Sequence, residues 1–339
     1  MKEKKIEFKY LDYQSTRIQI IRGICIFGVV LIHCTVLNQY DLFIQPFAFF
    51  CVWIFLFLSG ILTSPFSESW GKLIYKRIMK VIIPFFVWSL IYELFNGIDK
   101  STIIRILTGQ SCSIYYYILV YIQIVLLTPL IAKLVKSRVY WIGYLISFVA
   151  IIAEYYLALN NNYPTYPFNL NNCFVWLTIF FFGMRCRCRQ ETETIKEKSK
   201  KQINTYLVLG IVLYHILILL MIGEAFIWRE MGQIVLGNCI VKLSTFMGSM
   251  VLANVIFCYI NYIPKSANTN ELSKLFVEVG NASFGIYLIH QLIIGFINKL
   301  QIWQDVNFVL KTLIILAISY CIVKVLHLVM GKFGKILGV

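Results

Sequence analysis

Residues 18–37 read IQIIRGICIFGVVLIHCTVL, a run in which only Gln19, Arg22, His33 and Thr35 are polar. Coiled as a helix at about 1.5 Å per residue, such a run is about 30 Å long, the thickness of the hydrocarbon core of a bilayer. A helix also satisfies its own backbone hydrogen bonds in lipid, where no water is present to do so. The basic stretch before it, MKEKKIEFKYLDYQSTR, imitates the start of a signal peptide. The apolar run is long, however, and no small-residue cleavage pattern follows it, so it is expected to stay as a first transmembrane helix.

Working outward, the same test marks runs near Ile18–Leu37, Phe43–Leu62, Ile78–Phe95, Tyr116–Leu134, Tyr140–Leu159, Cys173–Arg185, Tyr206–Phe226, Leu236–Ile260, Phe284–Trp303 and Phe308–Val329. The composition agrees: 59% of residues are hydrophobic, 14% are charged, and the mean hydropathy is +0.76, a balance that no soluble domain of this length needs to cover one core. The net charge of +15 would in a soluble chain point to nucleic acid. Here the basic residues fall in short clusters between apolar runs, so topology accounts for them and no nucleic-acid partner is expected.

Charge placement tests the span count independently, because Lys and Arg accumulate in alternate, cytoplasmic connections. About 25 of the 31 Lys and Arg residues fall on one side if the N-terminus and every second connection face inward. The expected fold is therefore all-α: a polytopic helical bundle of about ten transmembrane helices in the plasma membrane, with both termini cytoplasmic. One domain is expected over 1–339, with a basic segment at 1–17, a membrane bundle at 18–329 and a tail at 330–339. No internal repeat is visible. The ten Cys lack the paired spacing of a disulfide framework or a zinc site, and Cys186 and Cys188 have no further ligands nearby. The outer loop NNNYPTYPFNLNN at 160–172 offers the rings of Tyr163, Tyr166 and Phe168, either as an interfacial belt or as a platform for a sugar.

Ionisable residues within spans cost about 2.5–3.5 kcal/mol each on insertion scales, so each needs a reason. Arg22 and His33 are eleven residues apart, which at 100° per residue returns both to one helix face within about 20° and separates them by about 16 Å. That places an anion anchor at the cytoplasmic boundary and a proton acceptor past mid-depth on the same side. In SFGIYLIHQ, Ser283, Tyr287 and His290 form one polar stripe at spacings of four and three. In YKRIMKVIIPFF, Arg77 and Lys80 face the same way, fit either to bind a polyphosphate or to enforce topology. Glu93 lies roughly 19 Å above Lys80, and Glu154 is at a similar outward depth. His215, Lys242, Asn254 and His327 are isolated and are expected to be structural.

Several of these pieces together resemble the acyltransferase-3 family of integral membrane acyltransferases, over nearly the whole chain. Arg22-x10-His33 is similar to the family's first-span signature, and FLFLSGILTS at 55–64 to its next segment. Arg77-Ile-Met-Lys80 resembles the family's Arg-x-x-Arg motif, with a lysine point charge in place of the second guanidinium. GNASFGIYLIH at 280–290 resembles the C-terminal family segment, and YYYILVYIQIVLLTPL at 115–130 its mid-chain span.

The resemblance implies transfer of an acyl group, acetyl first and succinyl as an alternative, from cytoplasmic acyl-CoA to a hydroxyl of a cell-surface or lipid-linked carbohydrate. Acyl-CoA would be a cosubstrate, with no resident cofactor and no metal. Arg22, Arg77 and Lys80 would hold the coenzyme phosphates. His33 would act as general base or carry the acyl group, His290 and Tyr287 would assist, and Ser283 and Glu93 would contact substrate. Expected partners are the donor, a carbohydrate or glycolipid acceptor, the bilayer and other proteins of surface-polysaccharide synthesis. Intramembrane His, Arg and Glu also mark substrate paths in transporters, so a transporter or flippase for a glycan or amphiphile is the competing class. A glycan polymerase is a third reading, against which the small exterior loops speak.

Overall fold

A computed structural model describes residues 16–35, 41–165, 168–192, 199–262, 270–300 and 306–339. Most of the N-terminal basic segment, Tyr166 and the end of the ninth expected run at Trp303 lie outside the described residues. The helices are α1 (Thr16–Cys34), α2 (Asp41–Ile44), α3 (Phe50–Ile61), α4 (Trp70–Asn96), α5 (Thr102–Thr108), α6 (Tyr116–Lys136) and α7 (Ile146–Leu159). They are followed by α8 (Cys173–Thr192), α9 (Lys200–Glu230), α10 (Ile234–Asn238), α11 (Leu243–Tyr262), α12 (Glu271–Asn281), α13 (Ser283–Ile297) and α14 (Phe308–Met330). Among the described residues there is no strand. The chain is an all-helical, multi-pass membrane protein.

All ten expected runs fall on helices, but they are not equal. Among the described residues, seven stretches are long and apolar enough to cross a bilayer, and eight if α12 and α13, bent by 77° at a one-residue break, make one span. The fifth run is only the 14-residue α7 after a 3-10 turn at Tyr140–Tyr144. The sixth, α8, carries Arg185, Arg187 and Arg189 in its second half, which shortens its apolar part. Periodicity locates a helix here better than it measures one.

Among the described residues, three helix starts are closed by the side chain of their own capping residue. Ser199 and Gln202 form a reciprocal capping box at the start of α9, and the Asn270 and Asn307 carboxamides accept backbone N–H bonds at the starts of α12 and α14. At the start of α11, Leu243 N–H donates to the Tyr155 hydroxyl (2.7 Å) and Ser244 N–H to Glu224 (3.1 Å), with Tyr155 donating to the other Glu224 oxygen. Lys242 is buried beside them and donates to Gly237 C=O (2.8 Å). His215 and Asn254 face outward and each bonds a carbonyl four residues back on its own helix.

Two helix crossings are set by glycine. A Cβ added at Gly60 or Gly183 would collide with the backbone of the opposite helix, at Phe180 and Phe57 respectively, so α3 and α8 touch main chain to main chain. Gly23 and Gly280 do the same between α1 and α12, against Phe276 and Gln19. Beside the first crossing, Trp53, fully buried, packs on Trp176 with ring centroids 4.5 Å apart. Within α4, Trp88 donates to Leu337 C=O (3.1 Å), tying the C-terminal segment to the bundle. The outward faces of α9 and α14 expose Leu219, Leu328 and Val329 by 68–79%, as lipid-facing helices must.

At its far end α4 is held by Arg105 of α5, which pairs with the buried Glu93 (2.5 Å) and with the exposed Asp99 (2.9 Å). The Arg105 side chain, with the Ser101 N–H, holds the Asp99 carboxyl below its ordinary range.

Gly60→Ala and Gly183→Ala are each expected to lower stability by about 1–3 kcal/mol through overpacking, whereas Gly223→Ala, whose Cβ would meet nothing within 4 Å, should leave it unchanged or raise it. Thermal melts in detergent decide this. Arg105→Ala leaves Glu93 buried without its ion partner and is expected to cost about 1–3 kcal/mol, well beyond Asp99→Ala, because the Asp99 carboxylate is solvated either way.

Candidate active site

The principal cavity, about 510 Å³, opens between α1, α3, α4, α6 and the start of α13. Its polar lining is arranged by height along α1. Toward one end stand Arg22, Lys76, Arg77 and Lys80, and toward the other stands His33. The wall between them is apolar and aromatic, with Val29, Phe55, Tyr117 and Tyr121 among its residues. The helical rise puts about 16 Å between Arg22 and His33.

Arg22 is only 9% exposed and directs both Nε and Nη2 at the Ser283 hydroxyl (3.1 and 2.8 Å). Ser283 is the first residue of α13, so this contact fixes the helix immediately after the bend. Arg77 donates through Nη2 to Leu62 C=O at the end of α3 (3.2 Å), and its Nη1 lies 3.5 Å from the Ser59 hydroxyl. The two arginines thus join α1 to α13 and α4 to α3 around the same end of the cavity. Lys76 and Lys80 are exposed there.

His33 is half-buried at the cavity wall, and His290 lies behind it, fully buried and outside the lining. Their ring centroids are 5.3 Å apart. His290 Nδ1 contacts two backbone carbonyls, Ile286 (3.1 Å) and Tyr287 (2.8 Å). Carbonyls only accept, so Nδ1 is assigned the proton and Nε2 the lone pair. That Nε2 has no hydrogen-bond partner in the structure, and its ring is packed against a second imidazole.

The remaining sequence candidates separate. Tyr287 lines the cavity, but its hydroxyl donates to Ile114 C=O (2.5 Å), so its one proton is already engaged. Its ring stacks on Phe284 at an interplanar angle of 11°. Glu93 lies outside the cavity lining, in the ion pair with Arg105. Glu154 is also elsewhere, buried against Asn172 and Tyr163. The sequence reading passed over Ser59, Lys76, Tyr117 and Tyr121 as site residues. Ser59 and the tyrosine run at 115–117 sit in segments that had been singled out, but nothing in their spacing showed which side chains face the cavity.

Comparison with known proteins gives one match: a family model described as an acyltransferase domain, the acyltransferase-3 model, matches residues 15–327. No curated protein and no solved structure matches the chain. The chain belongs to the acyltransferase-3 family and is a membrane acyltransferase.

Ser283→Ala removes the two hydrogen bonds that the hydroxyl accepts from the Arg22 guanidinium and is expected to destabilise the fold by about 1–3 kcal/mol. Ser283→Thr keeps the hydroxyl and should recover much of that loss in the same melt.

Proposed function

We propose that the acyl donor is acyl-CoA, acetyl-CoA first, and that the acceptor is a hydroxyl of a cell-surface or lipid-linked carbohydrate. The observation that carries this reading is one cavity with four cations at one end and a histidine backed by a second histidine at the other. A thioester on a long arm whose far end bears phosphates has that distribution of charge and reactivity. The phosphates lie with Arg22, Lys76, Arg77 and Lys80, in charge-assisted hydrogen bonds that grow stronger away from bulk water. The neutral arm runs past the aromatic wall. The positive end is cytoplasmic by the distribution of Lys and Arg in the connections, so the donor enters from inside and the acceptor approaches from the opposite face of the plasma membrane.

At the reacting end, His290 Nε2, unpartnered in the structure, is the acceptor on which a small turn of the His33 ring places its N–H during the reaction, and the other nitrogen of His33 is then a lone pair facing the cavity. This is the logic of a base oriented by a third group, with a neutral imidazole as the orienting partner. His33 takes the proton of the acceptor hydroxyl as the oxygen attacks the thioester carbonyl. The C–S bond breaks, and the proton passes from His33 to the departing thiolate. The products are the O-acyl ester and free coenzyme A, and the chain ends in its starting protonation state.

The test is release of coenzyme A thiol by the purified protein from acetyl-CoA with a panel of glycan acceptors. His33→Ala is expected to lose about 10²–10⁴-fold in kcat while still binding acetyl-CoA, the usual contribution of a positioned base. Arg77→Gln and Lys80→Gln should each weaken binding about tenfold, near 1.4 kcal/mol, and wild-type affinity should fall as salt is added. Binding without any turnover, together with accumulation of a glycan in sealed vesicles, would instead favour a transporter.

A further inference from the structure

Tyr92, on α4, is 6% exposed and meets α13 in an unusual way. Its hydroxyl donates to Leu288 C=O (3.1 Å) and accepts from Leu292 N–H (2.9 Å). These are the two groups that an α-helix pairs with each other, so one phenol oxygen bridges a helical turn from outside it. A polar atom set into the backbone ladder at one turn is a recognised cause of local bending. The bridged turn has His290 at its centre, two residues from each end. At 100° per residue, Leu288 and Leu292 lie on the helix face roughly opposite His290. The front of the turn carries the imidazole toward His33, and the back of the turn is gripped by Tyr92.

The ring of Tyr92 is itself fixed, edge-on against the fully buried Tyr115, with centroids 5.7 Å apart at 85°. His290 has little freedom of its own, because its Nδ1 is bound to carbonyls of the same helix. The place of its Nε2 is therefore the place of the turn. Tyr92 is twelve residues beyond Lys80 on α4, about 18 Å of rise, close to the separation of Arg22 from His33 on α1. The helix that presents cations at one end of the cavity thus reaches the histidine pair at the other.

We infer that Tyr92 is a positioning residue: its hydroxyl sets the turn of α13 that aims His290 at His33, and it acts on acyl transfer only through His290. This rests on the role given to the histidine pair under Proposed function. In Tyr92→Phe the ring and its packing remain, Leu288 C=O and Leu292 N–H lose the hydroxyl that ties them to α4, and the turn is released from its present setting. A displacement on the order of 1 Å at a reacting centre can cost about 10²-fold. Tyr92→Phe is therefore expected to lower kcat by about 10–100-fold, with the KM for acetyl-CoA held within about twofold because the cation end is untouched.

The discriminating measurement is a double-mutant cycle on coenzyme A thiol release by the full chain in lipid nanodiscs. Expected is that Tyr92→Phe adds nothing once His290 is Ala, with melting temperatures of the single variants close to wild type. Wild-type kcat in Tyr92→Phe, or losses that multiply in the double variant, would overturn the inference and leave the histidine reading intact. Full turnover by His290→Ala would sink both. Should the wild type release no thiol from acetyl-CoA, the donor reading fails and carbethoxylation of His290 by diethyl pyrocarbonate decides instead. Modification several-fold faster in Tyr92→Phe supports the inference, and an equal rate rejects it.

Discussion

Arg22 is a guanidinium inside an apolar bundle, and much of the molecule is arranged around keeping it there. A permanent charge in a lipid-facing protein has to find acceptors or water. Ser283 accepts from two of its nitrogens, and the Arg22 side chain lines the cavity. For Ser283 to stand there, α12 must end beside α1 and the chain must turn sharply before α13 begins. Gly23 and Gly280 permit the first, since any side chain at either would strike backbone. The 77° bend provides the second. One buried cation thus accounts for the glycine crossing, the broken helix and the position at which α13 starts its climb past the histidines.

The climb matters because α13 commits the polar atoms of Ser283 and Tyr287 and one nitrogen of His290. Ser283 is committed to Arg22, Tyr287 to Ile114, and His290 Nδ1 to its own backbone. What remains uncommitted is His290 Nε2. In a low-dielectric interior an unpaired acceptor is expensive, and this one, unlike the other unpaired buried atoms such as Ser89 Oγ and Trp53 Nε1, belongs to a ring packed against a second imidazole. The imidazole of His33, 5.3 Å away between ring centroids, is the group placed to use it.

How much of this was legible in the sequence follows from which facts are one-dimensional. The facing of Arg22 and His33 is a consequence of helical periodicity, and both line the cavity. The stripe Ser283, Tyr287 and His290 is equally periodic. Pairings between distant segments are not. Glu93 reads as a group that could meet substrate because nothing nearby in the sequence marks Arg105 as its partner. Tyr287 looked like a donor because the carbonyl of Ile114 has no signature at all. Tyr92 drew no notice, since a tyrosine near the end of a span is commonplace and its meaning lies in two backbone atoms of a helix about two hundred residues away. Span lengths blurred for a related reason: hydropathy sees apolar runs, whereas α7 and the α12–α13 pair are shaped by what packs beside them.

The broken helix is also the feature that most invites comparison with transporters, where interrupted helices line a site that opens alternately to each side. Here the break is built to resist such motion. Its first arm, α12, meets α1 main chain to main chain at Gly23 and Gly280, and its second, α13, is held at successive heights by Arg22, Ile114 and Tyr92. A helix held at three levels by three different elements serves to keep a side chain in register. That is what transferring a group between two bound partners requires, and what a rocking gate would have to undo on every cycle.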